Sequence, residues 1–155
     1  MLLLAILLAA GGLQLSGDLP KAGTLTMADL KTDAVTVDWT AHGQTKKATG
    51  APLDKLLDRA GFTPGPMGHD VPVREKRSGW KKAVVATASD GFQAVFSCAE
   101  LMPEMGPTRA LVVWELDGKP LGDDGPLRLV VTTDKETARS LHNLVRIEVV
   151  DLRAR

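Results

Sequence analysis

The sequence predicts an α+β domain, and three features carry that reading. Apolar residues recur at period two in several short runs, as half-buried strands require. Asp90-Gly91 and Asp117-Gly118 stand between such runs and suit tight hairpins, because both residue types tolerate positive φ. The helical stretches are short and capped, and they do not alternate with strands as a βαβ repeat would. A length of 155 residues with 44% hydrophobic content fits one folded core.

In chain order, Leu13 to Gly17 alternates as a short strand ending at glycine. Thr26 is placed to cap one or two helical turns before Leu30. Val35, Val37 and Trp39 alternate with Thr36 and Asp38, a half-buried strand, and the polar stretch 41–50 is a loop or hairpin. Pro52, then Leu53, Leu56, Leu57 and Ala60, give a helix with Pro52 in its first turn and Gly61 at its end. Three prolines and two glycines make 62–72 irregular. The runs 83–88 and 92–96 are strands joined at Asp90-Gly91. Ser97 with Glu100 has capping-box spacing and opens a helix that Pro103 ends. The runs 110–116 and 127–131 are further strands. Thr133 with Glu136 repeats the capping-box spacing and predicts a helix through about Leu144, followed by a last strand over 146–152.

Charge and cysteine usage narrow the function classes. Basic and acidic residues balance at 19 each, so no global positive field draws the chain to nucleic acid. One cysteine excludes a disulfide framework and any CxxC pair. His42, His69 and His142 lack metal-ligand spacing. Residues 1–11 begin MLLLAILLAA, too short to span a bilayer and suited to the apolar region of an export signal. The basic residues that normally precede such a region are missing, and a buried first strand or helix is the alternative. Export to a periplasm is the expectation, with residues 12–155 as the domain and no transmembrane span.

The segment Glu115-Leu-Asp-Gly-Lys-Pro-Leu-Gly-Asp-Asp-Gly-Pro-Leu-Arg-Leu-Val-Val131 resembles the molybdopterin-binding domain of the sulfite-oxidase-like oxidoreductases, whose pattern there runs approximately NGxPLxxxxGxPxRLVVP. Residues 13–17, 25–30, 50–61 (GAPLDKLLDRAG), 90–92 with 96–101, and 139–149 fit the same family in order. The resemblance implies that fold, with mixed β-sheets and short helices, over nearly the whole chain after residue 12. It also exposes departures. The family's enzymes hold molybdenum through a cysteine in the loop before the GVPLxxLL element, and here 37–50 contains none. Cys98 falls where leucine is common, a core position more than a ligand position. Asp123-Asp124 replace the histidine of the HGxPxR pattern and oppose an anionic tail. Thr132 and Ser140 replace a usual proline and tryptophan.

The resemblance therefore implies a small exported binding protein for a pterin-like ligand, without catalytic residues or metal, signalling through a partner such as a membrane-bound receptor. A molybdopterin-dependent oxidoreductase and a partner-binding module without ligand are the alternatives. Six residues are candidates for the site, each with a second reading. Trp39 stacks on a ligand or plugs the core under a loop. Trp80, set among Arg74, Lys76, Arg77, Lys81 and Lys82 with only Glu75 opposing, receives an anionic aromatic ring or sits at a solvated hairpin edge. Asp90 accepts hydrogen bonds from a pterin edge or only shapes its turn. Arg128 points opposite Leu127 and Leu129, into the pocket or into a salt bridge. Arg139 and His142, three apart on the expected helix, share a rim face or simply face solvent. Trp114 is assigned to the core.

Overall fold

A computed structural model describes residues 12–66 and 68–154. The expected export segment, 1–11, lies outside the described residues. The described residues form two five-stranded sheets that share one core. The first sheet has the order β2-β1-β10-β5-β6, with β1 Leu13–Gly17, β2 Gly23–Leu25, β5 Lys82–Ala88, β6 Gln93–Ser97 and β10 Leu144–Asp151. Only β1 and β10 pair in parallel; the other neighbours are antiparallel. The second sheet has the order β3-β4-β7, with β3 Val35–Ala41, β4 Gln44–Pro52 and β7 Ala110–Leu116. The far edge of β7 is shared: β9 (Arg128–Val131) pairs with its first half and β8 (Lys119–Pro120) with its last two residues.

Between the sheets, Leu13, Leu15, Val84, Phe96, Ile147 and Val149 meet Val112, Trp114, Leu129 and Val131, all buried. Trp114 is the core residue its strand pattern predicts. Helix α1 (Met27–Lys31) adds Leu30, and α2 (Leu53–Arg59) adds Leu53, Leu56 and Leu57. Fully burying one such leucine side chain is worth about 1.5–3 kcal/mol, so the α2 stripe alone is a substantial anchor.

The local signals act as expected at most element ends. Thr26 and Asp29 cap α1 reciprocally, and Ser97 and Glu100 do the same for α3 (Cys98–Leu101). Gly61, at φ +85, closes α2: its N–H donates to the Asp58 carbonyl while the Phe62 N–H donates to that of Leu57. Pro52 stands at the N-cap rather than inside the first turn. The stretch 41–50 is a hairpin, turning at His42-Gly43 with both residues at positive φ. At Gly50 the β4–β7 pairing slips by a bulge, and a Cβ there would run into the Val112 carbonyl.

The helix expected from Thr133 through Leu144 does not form. Thr133 Oγ1 accepts from the Arg109 N–H at 3.0 Å, so it is not capping its own segment. Residues 140–144 run beside β9 instead. The Leu129 N–H donates to the Leu141 carbonyl, the Leu144 N–H donates to the Leu127 carbonyl, and Ser140 Oγ accepts from the Val131 N–H. Those contacts hold 140–144 as an irregular segment beside β9, with Asn143 at positive φ, which is incompatible with helical bonding. Trp80 likewise sits on a 3-10 turn, Ser78–Lys81, and not at a hairpin edge; it leads into β5, which β10 and β6 flank on both sides. No helix among the described residues is long and apolar enough to cross a membrane.

Candidate functional site

Alternation along β7 and β9 puts every second side chain on the outer face of the second sheet. Leu111, Val113 and Val130 gather there with Trp39 and Ala48 as a small second core. Arg128, paired in register with Val113, projects onto the same face. Its guanidinium lies 4.8 Å from the centroid of the Trp39 ring, and its Nη1 is 3.4 Å from Asp124 Oδ2. The side chain is only 6% exposed, and its Nε has no hydrogen-bond partner. Burial lowers the pKa of Arg128, and the Asp124 carboxylate works against that shift. Trp39 is itself buried, so its ring both plugs this face and carries the cation.

Asp124 joins this cluster to its neighbour. It ends a 3-10 turn, Gly122–Asp124, whose backbone is laced to the following segment: the Asn143 N–H donates to the Asp124 carbonyl, and Asn143 Nδ2 to that of Asp123. The second Asp124 oxygen stands 3.0 Å from His142 Nδ1. Trp39, Arg128, Asp124 and His142 are thus one continuous row of contacts.

The row ends at a cavity of about 270 Å³ between the β5–β6 turn and the 137–142 segment. Asp90, Phe92, Thr137, Ser140, Leu141 and His142 line it. The Phe92 ring is 57% exposed, unusual for so large an apolar group. Asp90 Oδ1 accepts from the Phe92 N–H at 2.9 Å, so one carboxylate oxygen shapes the turn of this exposed residue.

The structure therefore brings four of the six candidates together, Trp39 and Arg128 by direct contact, His142 through Asp124, and Asp90 across the cavity. The other two lie apart. Arg139 shares no helix face with His142, because no helix is there. It grips Asp134 through Nε and Nη2, both at 2.8 Å, reaches Glu100 with Nη1 at 3.0 Å, and covers the Phe96 ring at 4.6 Å. The Asp134 hydrogen bonds, ahead of the charges of Asp134 and Glu100, raise its pKa despite partial burial. The turn that carries Trp80 packs against α3. Phe92 was not among the candidates, although its place directly after Asp90-Gly91 was the available signal: an aromatic set at a hairpin shoulder.

Residues 22–155 match the family model of the oxidoreductase molybdopterin-binding domain. The chain belongs to this family. No curated protein matches the sequence. For a molybdopterin-binding domain, the question is whether these residues fit a thiolate-held molybdenum, and they do not. Cys98 is fully buried in the main core, and burial pushes its thiol up to about 12. The β3–β4 hairpin carries no cysteine. Among the described residues, no three His, Cys, Asp or Glu side chains cluster with metal-binding geometry.

Proposed function

We propose that this family member binds a flat, pterin-like molecule rather than oxidising a substrate, and that it does so as an exported protein acting through a partner. The observation that carries the reading is the cavity where the Phe92 ring, the Asp90 carboxylate and the His142 imidazole converge. A pterin offers a π face and a pyrimidine edge with amino and ring N–H donors. Phe92 supplies a face for stacking, Asp90 an acceptor for the edge, and His142 a further polar group. Small-molecule pockets run from about 300 to 1,000 Å³, so this one, about 270 Å³, falls just below that range and suits a bicyclic ring better than a dinucleotide.

The test is a thermal shift of the purified protein with pterin and neopterin. Saturation at about 100 times Kd adds about 2.7 kcal/mol of stability. Phe92→Ala and Asp90→Asn abolish that shift if the cavity is the site. A full shift in both variants places the ligand elsewhere. Stoichiometric molybdenum in protein isolated from periplasm would return the domain to the oxidoreductases.

A further inference from the structure

We propose that Trp39 and Asp124 act as built-in substitutes for a ligand on Arg128, so that this deeply buried guanidinium on the outer face of the second sheet forms an anion site closed by the chain itself. A guanidinium recognises two things: an aromatic plane to stack on and an anion to accept its N–H donors. Arg128 has both from within. The Trp39 ring occupies the stacking position at 4.8 Å, and Asp124 occupies the anionic position at 3.4 Å.

The anionic contact is poorly made. At 3.4 Å it is at the long limit for a charge-assisted bond, where 2.7–2.9 Å is usual. Nε is left with no partner although the side chain is 6% exposed. Asp124 divides its carboxylate between Arg128 and His142 and is itself about half exposed. An arginine buried this deeply and bonded this loosely has donor capacity that Asp124 does not use. Ring and carboxylate enter from different elements, β3 and the 122–124 turn, and both reach this cation. The Trp39 side of the closure is firm, because its ring is packed among Ala48, Leu111, Val113 and Val130. The Asp124 side is the weak one, and Asp123 beside it adds a second negative charge at the entrance.

Two consequences follow for ligand class. Wild-type protein rejects phosphate-bearing molecules at this face, and removal of the Asp124 carboxylate admits them. Neither depends on the neighbouring cavity holding a pterin.

Inorganic pyrophosphate is the probe, titrated by calorimetry into wild type, Asp124→Ala and Asp124→Ala/Arg128→Gln at low ionic strength. The expected result is no heat of binding to wild type at millimolar probe, binding at least tenfold tighter in Asp124→Ala, and loss of that gain in the double variant. Asp124→Ser, which keeps a small polar group on the turn, gives the same gain, and circular dichroism checks that each variant is folded. Binding to wild type as tight as to Asp124→Ala overturns the proposal. So does absence of binding in both single variants, or a gain that survives loss of the guanidinium.

Discussion

Arg128 lies over Trp39, its guanidinium carbon 4.8 Å from the ring centroid, on the face of the second sheet opposite the main core. β9 supplies the cation and the edge strand β3 supplies the ring, so the contact ties together two strands that β4 and β7 separate. A desolvated cation–π pair is worth about 2 kcal/mol or more, enough to matter for that edge.

The pair's two members differ in what their loss costs. Trp39→Ala empties the centre of the second core and costs about 3–5 kcal/mol. Arg128→Met removes a buried charge, fills similar volume and leaves only a half-exposed carboxylate behind. Replacing buried ion pairs by apolar groups is commonly neutral or stabilising, so this variant keeps wild-type stability to within about 1 kcal/mol or exceeds it. Urea denaturation of both variants and their double mutant measures the coupling. Equal, large losses in the two single variants would show that the charge holds the face together as much as the ring does.

Arg139 is the second hub, joining the 134–139 turn to α3 through Asp134 and Glu100. Its Asp134 contact is bidentate, which an ammonium cannot reproduce. Arg139→Lys is therefore expected to lose nearly as much stability as Arg139→Ala, about 1–2 kcal/mol for a pair that is partly screened. Chemical denaturation settles it: a lysine variant at wild-type stability means charge alone suffices.

The acid limb of the stability curve has a defined source. Hydrogen bonds from Thr26 hold Asp29 below its ordinary 3.8, and hydrogen bonds from Arg153 hold Asp151 further below. A carboxylate depressed in the folded state binds fewer protons there than in the unfolded chain. Its contribution is complete above the ordinary value near 3.8 and is lost as pH falls through the folded value. Melting temperature is expected to drop below about pH 4, and Asp29→Asn/Asp151→Asn to start lower and fall less steeply. An unchanged acid slope in the double variant would place the effect on other carboxylates.

Local chemistry was legible in the sequence wherever a few consecutive residues decide the outcome. The Thr26 and Ser97 capping boxes, the Asp90-Gly91 and Asp117-Gly118 hairpins and the Gly61 helix end all depend on spacing within one turn. Thr133 and Glu136 have the same spacing, yet the segment is not helical. The deciding contacts come from Arg109, 24 residues upstream, and from the chain folding 140–144 back onto β9, a pairing that capping-box spacing does not encode. The site divides in the same way. That Arg128 turns away from Leu127 and Leu129 follows from strand alternation. That it meets Trp39 depends on the strand order within the second sheet, and that Asp124 links it to His142 depends on how the 122–124 turn packs beside 142–143. Phe92 had to be seen exposed beside a cavity before its aromatic ring meant anything.

Cys98 offers the sharpest chemical test of the departure from the family's metal chemistry. Its thiol is buried at the start of α3 and pushed up to about 12, against an ordinary value of 9.0. At pH 8 only about one native thiol in ten thousand is ionised, so a disulfide reagent reacts at the rate of unfolding and not at the rate of an exposed thiol. The linkage has a definite sign. The folded state keeps its proton between pH 9.0 and about 12 while the unfolded chain loses it. The thiol's contribution is therefore complete below pH 9.0 and is lost as pH rises towards 12. Cys98→Ala removes this alkaline limb and costs about 1 kcal/mol at neutral pH through lost packing. Cys98→Ser costs more, about 1–3 kcal/mol, by burying a hydroxyl without a partner. Melts from pH 7 to 11, paired with thiol-labelling rates, check all three. Rapid labelling of the folded protein at pH 8 would mean that the thiolate is accessible and that a metal could reach it.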